Sequence, residues 1–296
     1  MILDYSWRVS TLAALPDPLD LLELEYMRTA LLEISLVAVA GGLLGAWIVL
    51  RRLAFFAHGA GTATFPGLVV ADATGFSATI AALASALGYA VGVDRVGRRG
   101  RDLGDTATAL TLVAALAIGI VLASDVFESG SAVDRLLFGT ALGLGGEDLG
   151  VAAAAAALAL AATLLAGRAW TALAFDPSAA TALGLPRRVA DLLLLGLIAL
   201  AAVAALPAVG ALLVTSLFVV PAATGRLLTH SVGALLATAV TIAVVQGGAG
   251  LYVSLWLDVP PGPAVAVAGS ALYALVAVAT ALRPSVAPLP IAMEAT

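Results

Sequence analysis

His58 and His230 are the only imidazoles in a chain of 296 residues, and there is no cysteine. Thiolate metal sites, disulfides, iron–sulfur clusters and cysteine nucleophiles are therefore excluded. Met1, Met27 and Met293 stand at or outside the edges of the apolar region, which speaks against a thioether copper path. Three carboxylates lie in apolar surroundings: Glu33, Asp72 and Asp191. Asp72 follows His58 by fourteen residues, about 21 Å along an unbroken helix, too far to share one ion. Asp191 comes just after Arg187 and Arg188, where a local ion pair accounts for it. His230 sits beside Arg226 in a short polar turn and reads as solvated. No nucleophile is paired with a base, and no two carboxylates are paired within the apolar stretches, so no catalytic residues are assigned. With no lysine, the chain cannot contain a Gly-x-x-x-x-Gly-Lys-[Ser/Thr] phosphate loop, and no cofactor is expected on it.

The elements that must position these groups are set by composition. Apolar residues make up 62% and charged residues 11%, against ~45–50% and ~25% in ordinary soluble domains. Mean hydropathy is +1.09. The apolar residues come in blocks long enough to cross a ~30 Å hydrocarbon layer at 1.5 Å per residue. Nine candidate helices result, at 29–50, 58–75, 76–94, 105–124, 149–167, 189–207, 209–225, 232–255 and 264–282. The fold class is therefore all-α, a polytopic transmembrane helical bundle of about nine spans, or eight if one short block does not cross. Residues 1–28 read as an extracytoplasmic segment, 29–283 as the transmembrane domain and 284–296 as a cytoplasmic tail. The acidic start has no basic stretch followed by an apolar one, so a cleaved signal peptide is not expected. Glu33, one turn into the first block, reads as an interfacial residue. Gln246 with Gly247-Gly248, and Gly41-Gly42 with Gly45, read as close helix packing with one interhelical hydrogen bond.

All 14 basic residues are arginine. Eleven of them, from Arg51 to Arg283, fall in the connections on one side, while Arg8, Arg28 and Arg135 fall on the other with most of the carboxylates. The positive-inside rule makes the arginine-rich side cytoplasmic, with the N-terminus outside and the C-terminus inside a bacterial plasma membrane. A net charge of −5 without a long basic run argues against nucleic acid as a partner.

One cytoplasmic connection carries helix signals of its own. In Phe175-Asp-Pro-Ser-Ala-Ala-Thr-Ala-Leu-Gly-Leu185, Asp176 suits an N-cap, Pro177 a first helical position and Gly184 a left-handed stop. Between them lie Ser178, Ala179, Ala180, Thr181, Ala182 and Leu183. Such a short capped helix is either a loop that happens to be helical or a docking knob for a cytoplasmic partner. Farther on, Pro221 and Gly225 interrupt the seventh block, either as a kink that shapes the bundle or as a broken helix suited to a gate.

Taken in order, six stretches resemble the permeases of zinc/manganese-type ABC importers, the ABC-3 family. They are Arg51-Arg-Leu-Ala-Phe-Phe56 with Thr64-Phe-Pro-Gly67, Leu136-Leu-Phe-Gly139 with Glu147-Asp148, Phe175–Leu185, Leu206–Val214, Pro221–Leu228 and Leu257–Pro263. The resemblance runs from about residue 26 to 283. It implies a type II ABC importer permease that works as a homodimer. A cytoplasmic ABC ATPase would seat on Asp176–Leu185 and supply all ATP hydrolysis, so that this chain is not itself an enzyme. An extracytoplasmic metal-binding protein or lipoprotein would deliver the divalent metal cargo, zinc or manganese.

The chain departs from that pattern where the metal is gripped. The family's Asp, followed by His four residues later, aligns with His58 and Thr62. On a helix these two positions face the same way. An imidazole and a hydroxyl form a weaker ligand pair, with no negative charge to offset desolvation of the ion. Three readings stay open: His58 as a ligand aided by Thr62, carbonyls of the Gly59–Gly61 break or water; a different or loosely held cargo; or His58 as a polar residue satisfied by a carbonyl. A self-contained secondary transporter is a further alternative, but the spans lack its coupled carboxylates.

Overall fold

The computed structural model describes residues 25–99, 104–126, 144–176, 178, 180, 186–211 and 213–282. Eleven α-helices follow one another: α1 (Glu25–Leu50), α2 (Ala54–Thr62), α3 (Phe65–Thr74), α4 (Ala78–Arg99), α5 (Asp105–Val121), α6 (Gly146–Phe175), α7 (Arg187–Ala204), α8 (Leu206–Val209), α9 (Val214–Leu228), α10 (Val232–Leu257) and α11 (Pro261–Ala281). Among the described residues there is no strand. Backbone groups in hydrocarbon must be satisfied within their own segment, and helices of this Ala- and Leu-rich chain do so. Among the described residues seven helices, with α2 and α3 counted as one, are long and apolar enough to cross a membrane. The two remaining expected spans are α7, which has three charges in its first five residues, and α9, with 15 residues.

Boundaries differ where local signals competed with packing. The fifth block runs on to Phe175, so Arg168 stands on a helix and not in a connection; arginine is a good helix former, and its long stem lets the charge reach water. The sixth block stops at Ala204, and the chain makes the single turn α8 before Gly210, whose φ of 84° favours glycine. Pro221 and Gly225 do not break the seventh block: α9 is continuous through both. Pro221 removes one backbone donor, but Pro221, Ala222, Thr224 and Gly225 are all buried, and the surrounding helices hold α9 in shape. The irregular backbone expected there lies earlier, at 205–213.

At the centre is α1, flanked by α6, α9 and α10. Trp47 meets Trp170 edge-on with ring centroids 5.4 Å apart, and its Nε1 donates to Thr163 Oγ1 at 3.3 Å. Glycines set the approach of the other neighbours: a Cβ on Gly42 would lie 2.6 Å from Val240 Cα, and one on Gly45 would overlap the Phe218 carbonyl oxygen. Gln246 makes two interhelical bonds where one was expected, its Nε2 donating to Ser216 O and Val265 O, each at 3.2 Å.

The connections grouped on one side by their arginines do come together. Arg51 Nη2 lies 2.6 Å from Asp191 Oδ1, and Arg187 Nε 3.5 Å from Asp191 Oδ2. Nearby, Arg98 grips Asp94 at 2.7 Å and Arg188 stands 4.0 Å from the same carboxylate. Asp191 thus ties α7 to the end of α1, beyond the local pair expected of it. Glu33 differs from its expected place along the helix: α1 starts at Glu25, so Glu33 is two turns from that end and fully buried among its neighbours.

Candidate functional site

The residues around His58 are placed by a break in the helix. After α1 the chain reverses through a Schellman turn, in which the Leu53 N–H donates to Ile48 O at 2.8 Å and Arg52 takes a φ of 56°. Leu53 then leads into α2. Phe56 stacks on Tyr89 of α4 with centroids 5.1 Å apart and planes 14° from parallel. Gly59 leaves room for the Tyr89 hydroxyl, which a Cβ there would overlap. A Cβ on Gly61 would come within 2.5 Å of the Ala211 carbonyl oxygen, so α2 lies directly on the irregular 205–213 backbone. The helix stops at Thr62 and restarts at Phe65, with Pro66 in the first turn of α3, where its missing N–H costs nothing.

Carbonyls freed by the break are already engaged. His58 O accepts from Thr62 Oγ1 at 3.1 Å, and Gly59 O from the Ala63 N–H at 2.7 Å. Gly61 O accepts from Thr64 Oγ1 at 2.6 Å, and Ala63 O from Ser85 Oγ at 2.6 Å. The hydroxyl of Thr62 is thus turned to backbone and does not meet the His58 ring. The group that does is Thr215 on α9: its Oγ1 is 3.3 Å from His58 Nδ1. Sequence reading missed Thr215, because nothing local marks a partner 157 residues away. One half-buried imidazole facing a single hydroxyl can steer an ion but offers no negative charge to hold it. Among the described residues, no three His, Cys, Asp or Glu side chains come together as a metal site. Asp72 is exposed on α3 and His230 is exposed in its turn.

The second candidate element begins where α6 ends. Asp176 Oδ1 accepts from the Ser178 N–H at 3.1 Å and from Ser178 Oγ at 2.6 Å, and the Ala180 N–H donates to Asp176 O at 3.1 Å. That is the bonding of an N-cap and a first turn. Phe175 is 65% exposed beside it, while Ala180 is buried. Pro177, Ala179 and Thr181, Ala182, Leu183, Gly184 and Leu185 lie outside the described residues, as do Leu136–Gly139, residues 1–24 and the tail from 283. Behind the segment, the Trp170 indole N–H donates to Ala190 O at 2.9 Å and fixes the end of α6 to the start of α7. The segment is therefore mounted on a rigid base that also carries the Arg187 and Arg188 ion pairs.

Comparison with known proteins places this arrangement. A manganese transport system membrane protein, MntC, from Halalkalibacterium halodurans is 33% identical over 256 residues, covering 86% of this chain and 88% of that protein. The chelated iron transport system membrane protein YfeD of Yersinia pestis is 26% identical over 259 residues, 88% of this chain and 87% of that one. Among solved structures, PsaBC from Streptococcus pneumoniae in complex with Fab has the same fold, with a TM-score of 0.77 at 24% identity over 87% of this chain and 93% of that chain. The family model described as the ABC 3 transport family matches residues 23–281. With a match across nearly all of the helical bundle, the chain belongs to the ABC 3 transport family.

Proposed function

We propose that this chain is the membrane-spanning permease of a binding-protein-dependent importer for a divalent transition metal, with manganese as the favoured cargo. The match to the family across residues 23–281 carries the reading. Relatives named for manganese and chelated iron, and a chain without cysteine, favour a metal that accepts imidazole and oxygen. Two copies form the path. The arginine-rich end, with Arg51, Arg98, Arg187 and Arg188, faces the cytoplasm. There the segment from Asp176 to Leu185 seats a separate ATPase, which does all the hydrolysis, and a metal-binding protein or lipoprotein docks on the opposite face. Expressed with the ATPase of its own operon, the permease should co-purify with it. Asp176→Pro and Gly184→Pro should each weaken that complex, the first by removing the carboxylate that caps the turn. An ATPase that binds the double variant as well as the wild type would sink the docking role.

At His58 we assign guidance of the ion rather than tight capture, because the position lacks the carboxylate of the family pattern. His58→Ala should lower uptake at limiting manganese by about tenfold, the effect of ~1.4 kcal/mol. His58→Asp with Thr62→His should raise affinity for manganese or zinc. Uptake unchanged in the first variant, measured in vesicles, would mean that the ring only satisfies Thr215; no gain in the second would point to a different cargo.

A further inference from the structure

One charged group in the bundle has no part in the site above. Glu33 on α1 is wholly buried, and neither of its carboxyl oxygens has a hydrogen-bond partner. The bond from Trp47 to Thr163 spans 116 residues and sets α1 and α6 side by side. Counting back fourteen residues along both helices puts Glu33 level with residue 149, next to Asp148 in the first turn of α6. That register, with α1 and α6 parallel, brings the Asp148 charge within electrostatic reach of the Glu33 carboxyl. Asp148 is half-buried, and its Oδ2 is oriented by the Gly145 N–H at 2.9 Å.

Among the described residues, no cationic side chain is at hand to offset them. Helix α10 carries no charged residue, and the only one on α9 is Arg226, at the other end of the bundle. On α6 the only base is Arg168, twenty residues beyond Asp148 and so about 30 Å away. Arg28 is exposed, five residues before Glu33 and on a different face of α1. Two carboxylates near each other in a low-dielectric setting cannot both stay ionised without added positive charge. A proton would supply it, but the resulting O–H would need an acceptor, and no hydrogen bond joins Glu33 to Asp148 or to anything else. A hard divalent cation needs no such contact, since its oxygen ligands stand about 2.0–2.6 Å from the ion and not against each other.

We infer that Glu33 and Asp148 form a cation site between α1 and α6, at the end of the bundle opposite the arginines, for a hard divalent ion such as manganese. No third acid or histidine joins them among the described residues, so water completes the coordination. That makes the site weak and exchangeable, with affinity on the order of 10⁻⁴–10⁻³ M. It is separate from His58 and is read by binding alone, so it stands or falls apart from the transport reading.

The test uses the purified full-length permease in detergent, titrated with manganese alone. Bound ion is counted from the loss of the free-ion paramagnetic resonance signal, and thermal midpoints are taken with manganese and with chelator. Glu33→Gln has the shape of the neutral acid without the charge. It should lose one manganese equivalent, with at least tenfold weaker binding, and should lose the stabilising shift that manganese gives the wild type. In chelator it should unfold no earlier than the wild type. Asp148→Asn, at a half-buried position, should weaken binding to a similar degree without disturbing the core. His58→Ala should keep this equivalent. If Glu33→Gln and Asp148→Asn both bind manganese as the wild type does, Glu33 is merely a neutral buried acid and the inference is overturned.

Discussion

Asp191→Ala should be the most damaging single change outside the helix–helix glycines, costing about 3–5 kcal/mol of stability. Asp191 is 4% exposed and takes Arg51 Nη2 at 2.6 Å and Arg187 Nε at 3.5 Å. Removing the carboxylate strands the Arg51 guanidinium, whose Nη1 already has no partner and is buried. Beside it a cavity of about 20 Å³, lined by Arg51, Phe56, Val93, Thr108 and Asp191, has room for one water, too little to hydrate a cation. Arg187 is half-exposed and can turn to solvent, so the cost falls on Arg51. The double variant Arg51→Met, Asp191→Leu should recover most of the loss, because apolar side chains of similar volume replace a buried pair at little cost. Unfolding midpoints of the two single variants and the double, treated as a cycle, measure the coupling. A single Asp191→Ala as stable as the wild type would show that the pair adds nothing.

That pair also shows where sequence reading ends in this molecule. Seven of the nine blocks were legible because the membrane imposes a length and an apolar content that show in a window of about 20 residues; α7 and α9 are shorter or more charged than that rule asks. The shared side of Arg51, Arg98, Arg187 and Arg188 was legible for the same reason, since an odd or even count of crossings settles which connections meet. Asp176 could be read as a cap from its own neighbours, because capping is a bond within three residues. Contacts across the bundle were not legible. Arg51 reaches Asp191 over 140 residues and His58 reaches Thr215 over 157. These registers depend on which small residues let two backbones approach, and Ala and Gly occur on nearly every face of every helix here. Local signals also misled where packing overruled them. Pro221 reads as a break, yet α9 is continuous because buried neighbours support it. Glu33 reads as one turn into the helix from the expected start, yet α1 begins earlier and Glu33 lies on its buried face. The His58 site combines both cases: an interruption of this block was legible, though it falls at 63–64 and not at Gly59–Gly61, which are helical within α2, while the partner on α9 was not.

Gly45→Val should prevent the bundle from closing, and even Gly45→Ala should cost more than the usual ~1–3 kcal/mol of overpacking. A Cβ at this position would overlap the carbonyl oxygen of Phe218 on α9. The obstacle is backbone, so no side-chain rotation relieves it, and α1 cannot shift away because α6 and α10 hold its other sides. On the α10 side, a Cβ on Gly42 would meet Val240 Cα at 2.6 Å and Ala239 O at 2.9 Å, which blocks the obvious retreat. In hydrocarbon there is no water to expel between helices, so association rests on this close approach and on a few hydrogen bonds. Gly88 provides the control. It lies on exposed surface of α4 with no atom within 4 Å of its would-be Cβ. Gly88→Ala should therefore raise stability by up to ~1 kcal/mol through helix propensity alone. Midpoints of denaturant-induced unfolding in detergent separate the two cases: opposite shifts for the same added methyl group would locate the stability of α1 in backbone contact. Equal shifts at both positions would mean that α1 and α9 are not held at the spacing found here.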